Sequence, residues 1–375
     1  MSIGTIETIG THADDSFDRS QSGSRRPEVL ALAVAWCREQ PERVGEVLLP
    51  IPAEHGGHDA WEFGREAEGD RRLAFLRQRP GHNQVMPALG DSRLSRRQWI
   101  VRPSDEALEI DNQGKRPLLV DGQEVPRARV SAGRVVEVRG CLVLLVVRRP
   151  LQLPELELPE ALVPAFGQAD DFGMVGESPP AWVLRGELAF AAARKVHVLV
   201  GGPSGSGKEL VAQAIHQLSS RAGRELVARN AATFPETLID AELFGNMADY
   251  PNPGMRERLG LVGAAHGSTL FLDEIGELSH ELQAHLLRVL DRGEYQRLGE
   301  SRMRSADLRL VAATNRKPGE LKHDFLARFR LRIDVPGLGA RREDIPLLIP
   351  ALIRRIARED PALARRFFAS GDAGS

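Results

Sequence analysis

The chain has two cysteines in 375 residues, Cys37 and Cys141, far apart and without metal-ligand spacing. That excludes a disulfide scaffold and fits a reducing compartment. Long apolar runs are missing too. The longest near the N-terminus, residues 29–36, is too short to span a bilayer. Its upstream flank is acidic and polar, unlike the basic start of a signal peptide. The expectation is a cytoplasmic protein with no membrane attachment. No charge of one sign dominates: 50 Lys and Arg face 52 Asp and Glu, a net −2, so the whole chain advertises no nucleic-acid affinity. Internal repeats are absent. What is present, 42% hydrophobic and 27% charged residues, suits a soluble globular protein. The length allows two or three domains of roughly 100–200 residues each. Basic charge gathers only toward the C-terminus, at Arg328, Arg330, Arg332, Arg341, Arg342, Arg354, Arg355 and Arg358. This reads as a solvated helical face in preference to a docking surface.

Texture changes along the chain. Residues 1–26 are rich in Ser, Thr, Asp and Gly without apolar period and read as a flexible lead. Residues 27–40 read as one helix with Pro27 in its first turn, so 1–42 form a lead and a short helix. From 43 to 149, short β-like runs (99–102, 118–120, 135–138, 141–147) alternate with turn signals such as Asp121-Gly122 and Arg139-Gly140. That spacing predicts an all-β sandwich or barrel. Residues 150–165 are too proline-rich for helix or central strand and read as an extended linker. From 166 to 345, the apolar runs 196–200, 269–272 and 308–312 alternate with helical stretches such as 209–219. This predicts a parallel sheet flanked by helices. The fold class is therefore multidomain, all-β first and α/β second.

Two motifs carry chemistry. Gly202, Pro203, Ser204, Gly205, Ser206, Gly207, Lys208 and Glu209 follow a predicted strand and open a predicted helix. Glycines in that context allow a tight loop whose amides turn inward around phosphate oxygens, and the helix N-terminus adds partial positive charge. Lys208 would reach the β- and γ-phosphates. Glu209 stands where Ser or Thr usually holds magnesium. The second motif is the apolar run 269–272 ending in Asp273 and Glu274. A buried parallel strand delivers its last residues to the sheet edge where ligands bind. Asp273 there would bind Mg²⁺, and Glu274 would polarise the water attacking the γ-phosphate of ATP. Alone, either motif could be a turn or a strand end; together they point to a P-loop nucleotide site.

With these residues in place, 166–345 resembles the AAA+ ATPase domain of the sigma-54-dependent transcription activators, the bacterial enhancer-binding proteins. That family uses Glu at the position of Glu209. Val175-Gly-Glu-Ser178 looks like its adenine-side segment, and Glu242-Leu-Phe-Gly245, Phe271-Leu-Asp-Glu-Ile-Gly-Glu277 and Arg342-Glu-Asp-Ile-Pro346 match its signatures. The resemblance implies that Asn230 restrains the catalytic glutamate and that Asn315 senses the γ-phosphate. It also implies self-association into a ring, a hexamer, with Arg328 entering the neighbour's site, a contribution worth roughly 10³–10⁵ in rate in related enzymes. Lys322 replaces the accompanying arginine and loses its planar fork.

Two departures stand out. The family's polymerase-contacting loop falls on Asp249-Tyr-Pro-Asn-Pro-Gly254, where two prolines lock φ and remove amide donors. This argues against contact with the sigma-54 RNA polymerase holoenzyme. Residues 346–375 are too few for the helical lid and read as a truncated remnant; with no helix-turn-helix segment, direct DNA binding is not expected.

Residues 43–149 resemble a forkhead-associated (FHA) domain, a β-sandwich that binds phosphothreonine peptides, through Phe63-Gly-Arg65, Ser95-Arg-Arg-Gln98 and Asp121-Gly122. The resemblance implies that Arg65, Ser95 and Arg96 grip the phosphate through charge-assisted bonds. Gln98 replaces a structural histidine and Asp121 an asparagine that holds the peptide. The expected function is an ATP-binding, ATP-hydrolysing transcriptional regulator with a phosphothreonine-sensing domain. The alternative is a non-catalytic adaptor that binds nucleotide and phosphopeptide.

Overall fold

The computed structural model describes residues 27–65, 69–235, 238–316, 318–362 and 365. The lead expected for residues 1–26 lies outside them. The described residues divide into two compact units, each drawn from separated stretches: those within 195–199 and 224–332, and those within 27–194, 200–223 and 333–365.

In the larger unit, strands β1 (Glu28–Cys37), β2 (Val47–Leu48), β3 (Trp61–Phe63), β4 (Phe75–Arg79), β5 (His82–Met86) and β6 (Trp99–Pro103) come first. They are followed by β7 (Leu108–Asn112), β8 (Leu118–Val120), β9 (Gln123–Val125), β10 (Arg127–Val130), β11 (Val135–Val138) and β12 (Leu142–Pro150). An eight-stranded sheet runs β5-β4-β2-β1-β12-β11-β8-β9, and a four-stranded one β10-β7-β6-β3. Inward residues of both sheets, among them Leu32, Phe75, Trp99, Leu108 and Leu144, share one core. The Asp121-Gly122 turn between β8 and β9 takes two consecutive left-handed conformations, φ 48° and 83°. That backbone suits a two-residue hairpin.

The helix expected over residues 27–40 is corrected: Glu28–Cys37 is a strand, paired antiparallel to β12 from Glu28↔Pro150 to Cys37↔Leu142, with a bulge between Val34 and Trp36. Its physical reason lies in burial. Leu30, Leu32 and Val34 face the main core, while Val29, Ala31 and Ala33 pack with Val47 and Leu49 on the other face. A strand covered on both faces carries no alternation, so its apolar run is indistinguishable by period from a buried helix. Pro27 precedes the ladder, where its missing N–H costs nothing.

The proline-rich stretch after β12 is strapped to the sheet. Gln78 Nε2 donates to Pro150 O (2.9 Å), Asn83 Nδ2 to Leu151 O (2.8 Å) and Gly81 N to Leu153 O (3.2 Å). Leu153 and Leu162 are buried. The same unit holds helix α1 (Pro179–Ala192), which Ser178 caps by accepting Ala181 N–H (3.3 Å) and which has proline in its first positions.

The chain enters the smaller unit at Lys195, leaves it after Leu199 within β13 (Val198–Gly201), and forms α2 (Lys208–Gln217) in the larger unit. The smaller unit then carries β14 (Val227–Asn230), α3 (Ile239–Phe244), α4 (Leu261–Ala264), β15 (Thr269–Asp273) and α5 (His280–Arg292). A small ribbon follows, β16 (Glu294–Tyr295) with β17 (Arg304–Ser305), then β18 (Arg309–Thr314), α6 (His323–Leu326) and β19 (Leu331–Asp334), within which the chain returns to the larger unit after Arg332. These form a five-stranded sheet, β14-β15-β18-β13-β19, with β14/β15 and β15/β18 pairing parallel. All six residues of β18 are buried, as expected of a strand covered on both faces. Ser279 caps α5, and Gly293, at φ 69°, closes it with a bond to Val289 O. Helix α7 (Ile345–Glu359) belongs to the larger unit. Among the described residues, no helix is long and apolar enough to cross a membrane.

Candidate functional site

In the larger unit, the segment before α2 winds back on itself through three left-handed glycines, Gly202 (φ 146°), Gly205 (φ 71°) and Gly207 (φ 99°). A Cβ on Gly202 would lie 2.8 Å from Val335 O, so the loop closes only with glycine there. Gly207 stands at the N-cap of α2 and Lys208 at its first turn. Lys208 is buried, and its Nζ donates to Gly202 O (3.1 Å) and Pro203 O (3.2 Å) of the loop itself. Ser206 Oγ is buried with no hydrogen-bond partner among the described residues. A buried hydroxyl and a buried ammonium gathered at a helix N-terminus form a cradle for an anion, and phosphate oxygens fit its donors. The three remaining positions, Pro203, Ser204 and Glu209, complete the turn and the start of α2.

In the smaller unit, β14 and β15 pair so that Asn230 lies opposite Asp273 at the same edge of the sheet. Glu274 follows in a left-handed conformation, φ 50° and ψ 44°. For a residue with a Cβ this is strained and persists where surroundings over-determine it. Here its N–H donates to Asp273 Oδ1 (2.9 Å), and its Oε1 faces Asn315 Nδ2 at 3.4 Å. Asn315 comes directly after β18, the neighbour of β15. Asn230 Oδ1 accepts Ala232 N–H (2.8 Å), capping the turn after its own strand. Asp273, Glu274, Asn230 and Asn315 thus share one sheet edge, and the side chain set on Glu274 is that of Asn315.

Arg328 lies after α6. Its fork embraces Asp291 of α5, Nε to Oδ1 at 2.5 Å and Nη2 to Oδ2 at 3.1 Å, with both side chains partly exposed. The Arg328 hydrogen bond holds the Asp291 carboxyl below the usual carboxylate range. Residues 249–254 of the same unit form a closed loop. Buried Asn246 donates from Nδ2 to Met247 O, Tyr250 O and Arg256 O, and Asp249 Oδ1 accepts Gly254 N–H. Tyr250 lies against Gly299, where an added Cβ would come within 2.6 Å of its ring.

In the β region, Arg65, Ser95 and Arg96 come together at one end of the four-stranded sheet. Arg65 N donates to Ser95 O (3.2 Å), and a Cβ on Gly64 would meet Arg96 O at 2.1 Å. Gln98 is fully buried and bridges the neighbouring loops, with Nε2 donating to Asn112 Oδ1 (2.8 Å) and Arg116 O (2.9 Å). Asp121 turns to its own side: Oδ1 accepts Val135 N–H and Oδ2 pairs with Arg134 Nε at 2.5 Å.

One group of polar residues escaped sequence reasoning. Arg79 of β4 donates to Glu177 Oε1 (2.9 Å), and Arg149 of β12 to Glu343 Oε2 (3.1 Å) and Glu177 O (3.0 Å). Asp344 Oδ1 accepts the N–H groups of Glu177 and Ser178. Arg149, Glu177, Glu343 and Asp344 are all buried. Burial pushes the carboxyls of Glu177 and Glu343 up, against the pull of their arginines. Arg341 departs from the solvated face expected of the C-terminal arginines: its Nε is buried without a partner among the described residues, and burial lowers its pKa. The only available signal was the pair of motif matches 175–178 and 342–346, which hold Glu177, Glu343 and Asp344 without disclosing their partners.

Residues 174–335 match the family model of the sigma-54 interaction domain. The chain is 40% identical over 218 residues to the transcriptional regulatory protein ZraR of Salmonella typhimurium, covering 56% of this chain and 48% of ZraR. It is 34% identical over 325 residues to the anaerobic nitric oxide reductase transcription regulator NorR of Enterobacter sp. strain 638, covering 81% and 64%. Among solved structures, NtrX from Brucella abortus in complex with ATP shares 35% identity over 50% of this chain and 44% of its own, with TM-score 0.46. The chain spans about half the length of the ZraR proteins it matches. Residues 174–335 thus carry the match to the sigma-54 interaction domain, and the chain is homologous over part of its length to the transcription regulators ZraR and NorR.

Proposed function

We propose that this chain is a cytoplasmic regulatory ATPase that binds ATP at the loop from Gly202 to Glu209 and hydrolyses it as a self-assembled ring. The observation that carries the reading is the cradle: three left-handed glycines, a buried Lys208 ammonium on the loop carbonyls, and an unpartnered Ser206 hydroxyl at the start of a helix. Asp273 is the residue that would hold Mg²⁺, which when bound neutralises charge on the phosphate oxygens. Glu274 orients and deprotonates the attacking water, and Asn315, on its carboxylate, holds it in place and senses the γ-phosphate. Arg328 stabilises the transferred phosphoryl group in a neighbouring subunit. Turnover that rises with protein concentration supports the ring enzyme. A flat background with ATP binding intact supports a second reading, a nucleotide-binding adaptor, which the fork of Arg328 on its own chain's Asp291 favours.

That fork also sets an expected outcome. Releasing Arg328 from a partly exposed pair costs about 0.2–1 kcal/mol, so Asp291→Asn is expected to raise turnover about twofold at low protein concentration. The difference should vanish at saturating concentration in the same steady-state assay; an unchanged curve would show that Arg328 is not the limiting group.

The β region is proposed as FHA-like, with Arg65, Ser95 and Arg96 receiving a phosphothreonine; the pairing of Asp121 with Arg134 partly offsets the acid that would oppose it. Fluorescence anisotropy with phosphothreonine peptides checks this, Arg96→Ala being expected to weaken binding at least about tenfold. The prolines of residues 249–254 and the closed loop support an output other than contact with the sigma-54 polymerase holoenzyme, and no direct DNA contact is proposed.

A further inference from the structure

Arg79 and Arg149 belong to the β region by sequence, yet their guanidiniums end in the ATPase domain. Arg79 Nη1 and Nη2 bond Pro164 O (2.8 Å) and Glu177 Oε1 (2.9 Å), and its guanidinium covers the Trp182 ring of α1 at 5.0 Å. Both oxygens of Glu177 are engaged: Oε1 also accepts Gly167 N–H (2.8 Å), and Oε2 accepts Trp182 Nε1 (3.2 Å). Arg149 spans Gln78 Oε1 (3.2 Å), Glu177 O (3.0 Å) and Glu343 Oε2 (3.1 Å) while only 1% exposed. A cation so buried is fixed in one geometry, because any other leaves charge unpaired in low dielectric.

From this junction two routes reach the phosphate loop. The first is a single stretch of chain. Glu343 and Asp344 end the turn Leu338–Asp344, and that turn starts at Gly337, where an added Cβ would lie 3.1 Å from Pro203 Cγ. Two residues earlier, Val335 N donates to Gly201 O (2.8 Å), and Val335 O is the atom that forbids a side chain at Gly202. The second route is α1, whose cap Ser178 is clamped by Asp344 through its N–H (2.9 Å) and its hydroxyl (2.5 Å), and which packs on α2. Gly176 allows this clamp, since a Cβ there would meet Asp344 Oδ2 at 2.6 Å.

We propose that Arg79 and Arg149 are positioning residues for nucleotide binding: through Glu177, Glu343 and Asp344 they set residues 335–344 and α1, and with them the phosphate loop. The β region is then a wall of the nucleotide site's support and not a tethered module, and occupancy of either is felt by the other. This rests on the ATP-binding reading above.

The test replaces the buried pair by apolar groups, Arg149→Met with Glu343→Leu, because deleting one partner alone would leave a stranded charge and a misfolded chain. Arg79→Met with Glu177→Gln provides an independent second variant, in which the buried carboxylate's charge is removed together with its partner. Melting temperature, ATP affinity by a fluorescent analogue, and hydrogen exchange of β4 and β12 with and without ATP are measured on the full chain. In the wild type, ATP is expected to slow exchange in β4 and β12. In both variants, with melting within a few degrees of wild type, affinity should fall about tenfold, within the usual range of site-to-site coupling, and ATP should no longer slow that exchange. Folded variants with wild-type affinity and wild-type protection overturn the inference alone. A wild-type chain that binds no ATP overturns the nucleotide reading and this inference with it.

Discussion

Glu274→Gln is expected to lower ATP turnover by about 10²–10⁴, the usual contribution of a positioned general base, while leaving ATP affinity within about threefold, well below a tenfold change of 1.4 kcal/mol. An amide matches the carboxylate in shape and its oxygen can still accept from Asn315 Nδ2, so the sheet edge should keep its form. What it loses is the capacity to take a proton from water. The backbone of Glu274 is independent of that change, because its left-handed turn is held by the Asp273 carboxylate through the main-chain N–H. Single-turnover and steady-state rates measure the first effect and equilibrium titration the second. A variant that loses affinity and turnover in parallel would mean that Glu274 shapes the edge and performs no chemistry.

The second large effect concerns the β region. Trp99→Ala is expected to destabilise it by about 3–5 kcal/mol, the cost of removing a buried tryptophan from a packed core. Trp99 is fully buried, with its ring 5.1 Å from Phe63, which in turn meets Phe75 at 5.9 Å. Trp99 of β6 thereby reaches β4 of the larger sheet through Phe63 of β3. Trp99 Nε1 has no hydrogen-bond partner among the described residues, so Trp99→Phe removes an unpaired donor and should cost far less than the alanine. Urea unfolding followed on both variants decides this. Equal losses for Phe and Ala would place the stabilisation in an indole hydrogen bond and not in packing.

The legible parts of this molecule are those in which chemistry and local backbone coincide. The phosphate loop could be read because glycines at 202, 205 and 207 are needed for left-handed turns within six residues of each other, beside a strand and a helix. The hairpin at Asp121-Gly122 was readable for the same reason. Strand β1 was not, since burial on both faces erases the period that separates strand from helix. The junction was invisible for another cause. Arg149 and Glu343 are 194 positions apart, and an isolated arginine or glutamate in a sequence looks like surface. Likewise Arg328 could be matched to a finger position, but its present bond to Asp291 belongs to tertiary packing alone.

Calorimetric titration of the purified chain with ATP and magnesium addresses the central claim directly. Saturable one-site binding in about the 1 μM–1 mM range typical of enzyme substrates, weakened at least about tenfold by Lys208→Ala, is the expected result. Absence of saturable binding, or equal binding by the Lys208→Ala chain, would contradict it.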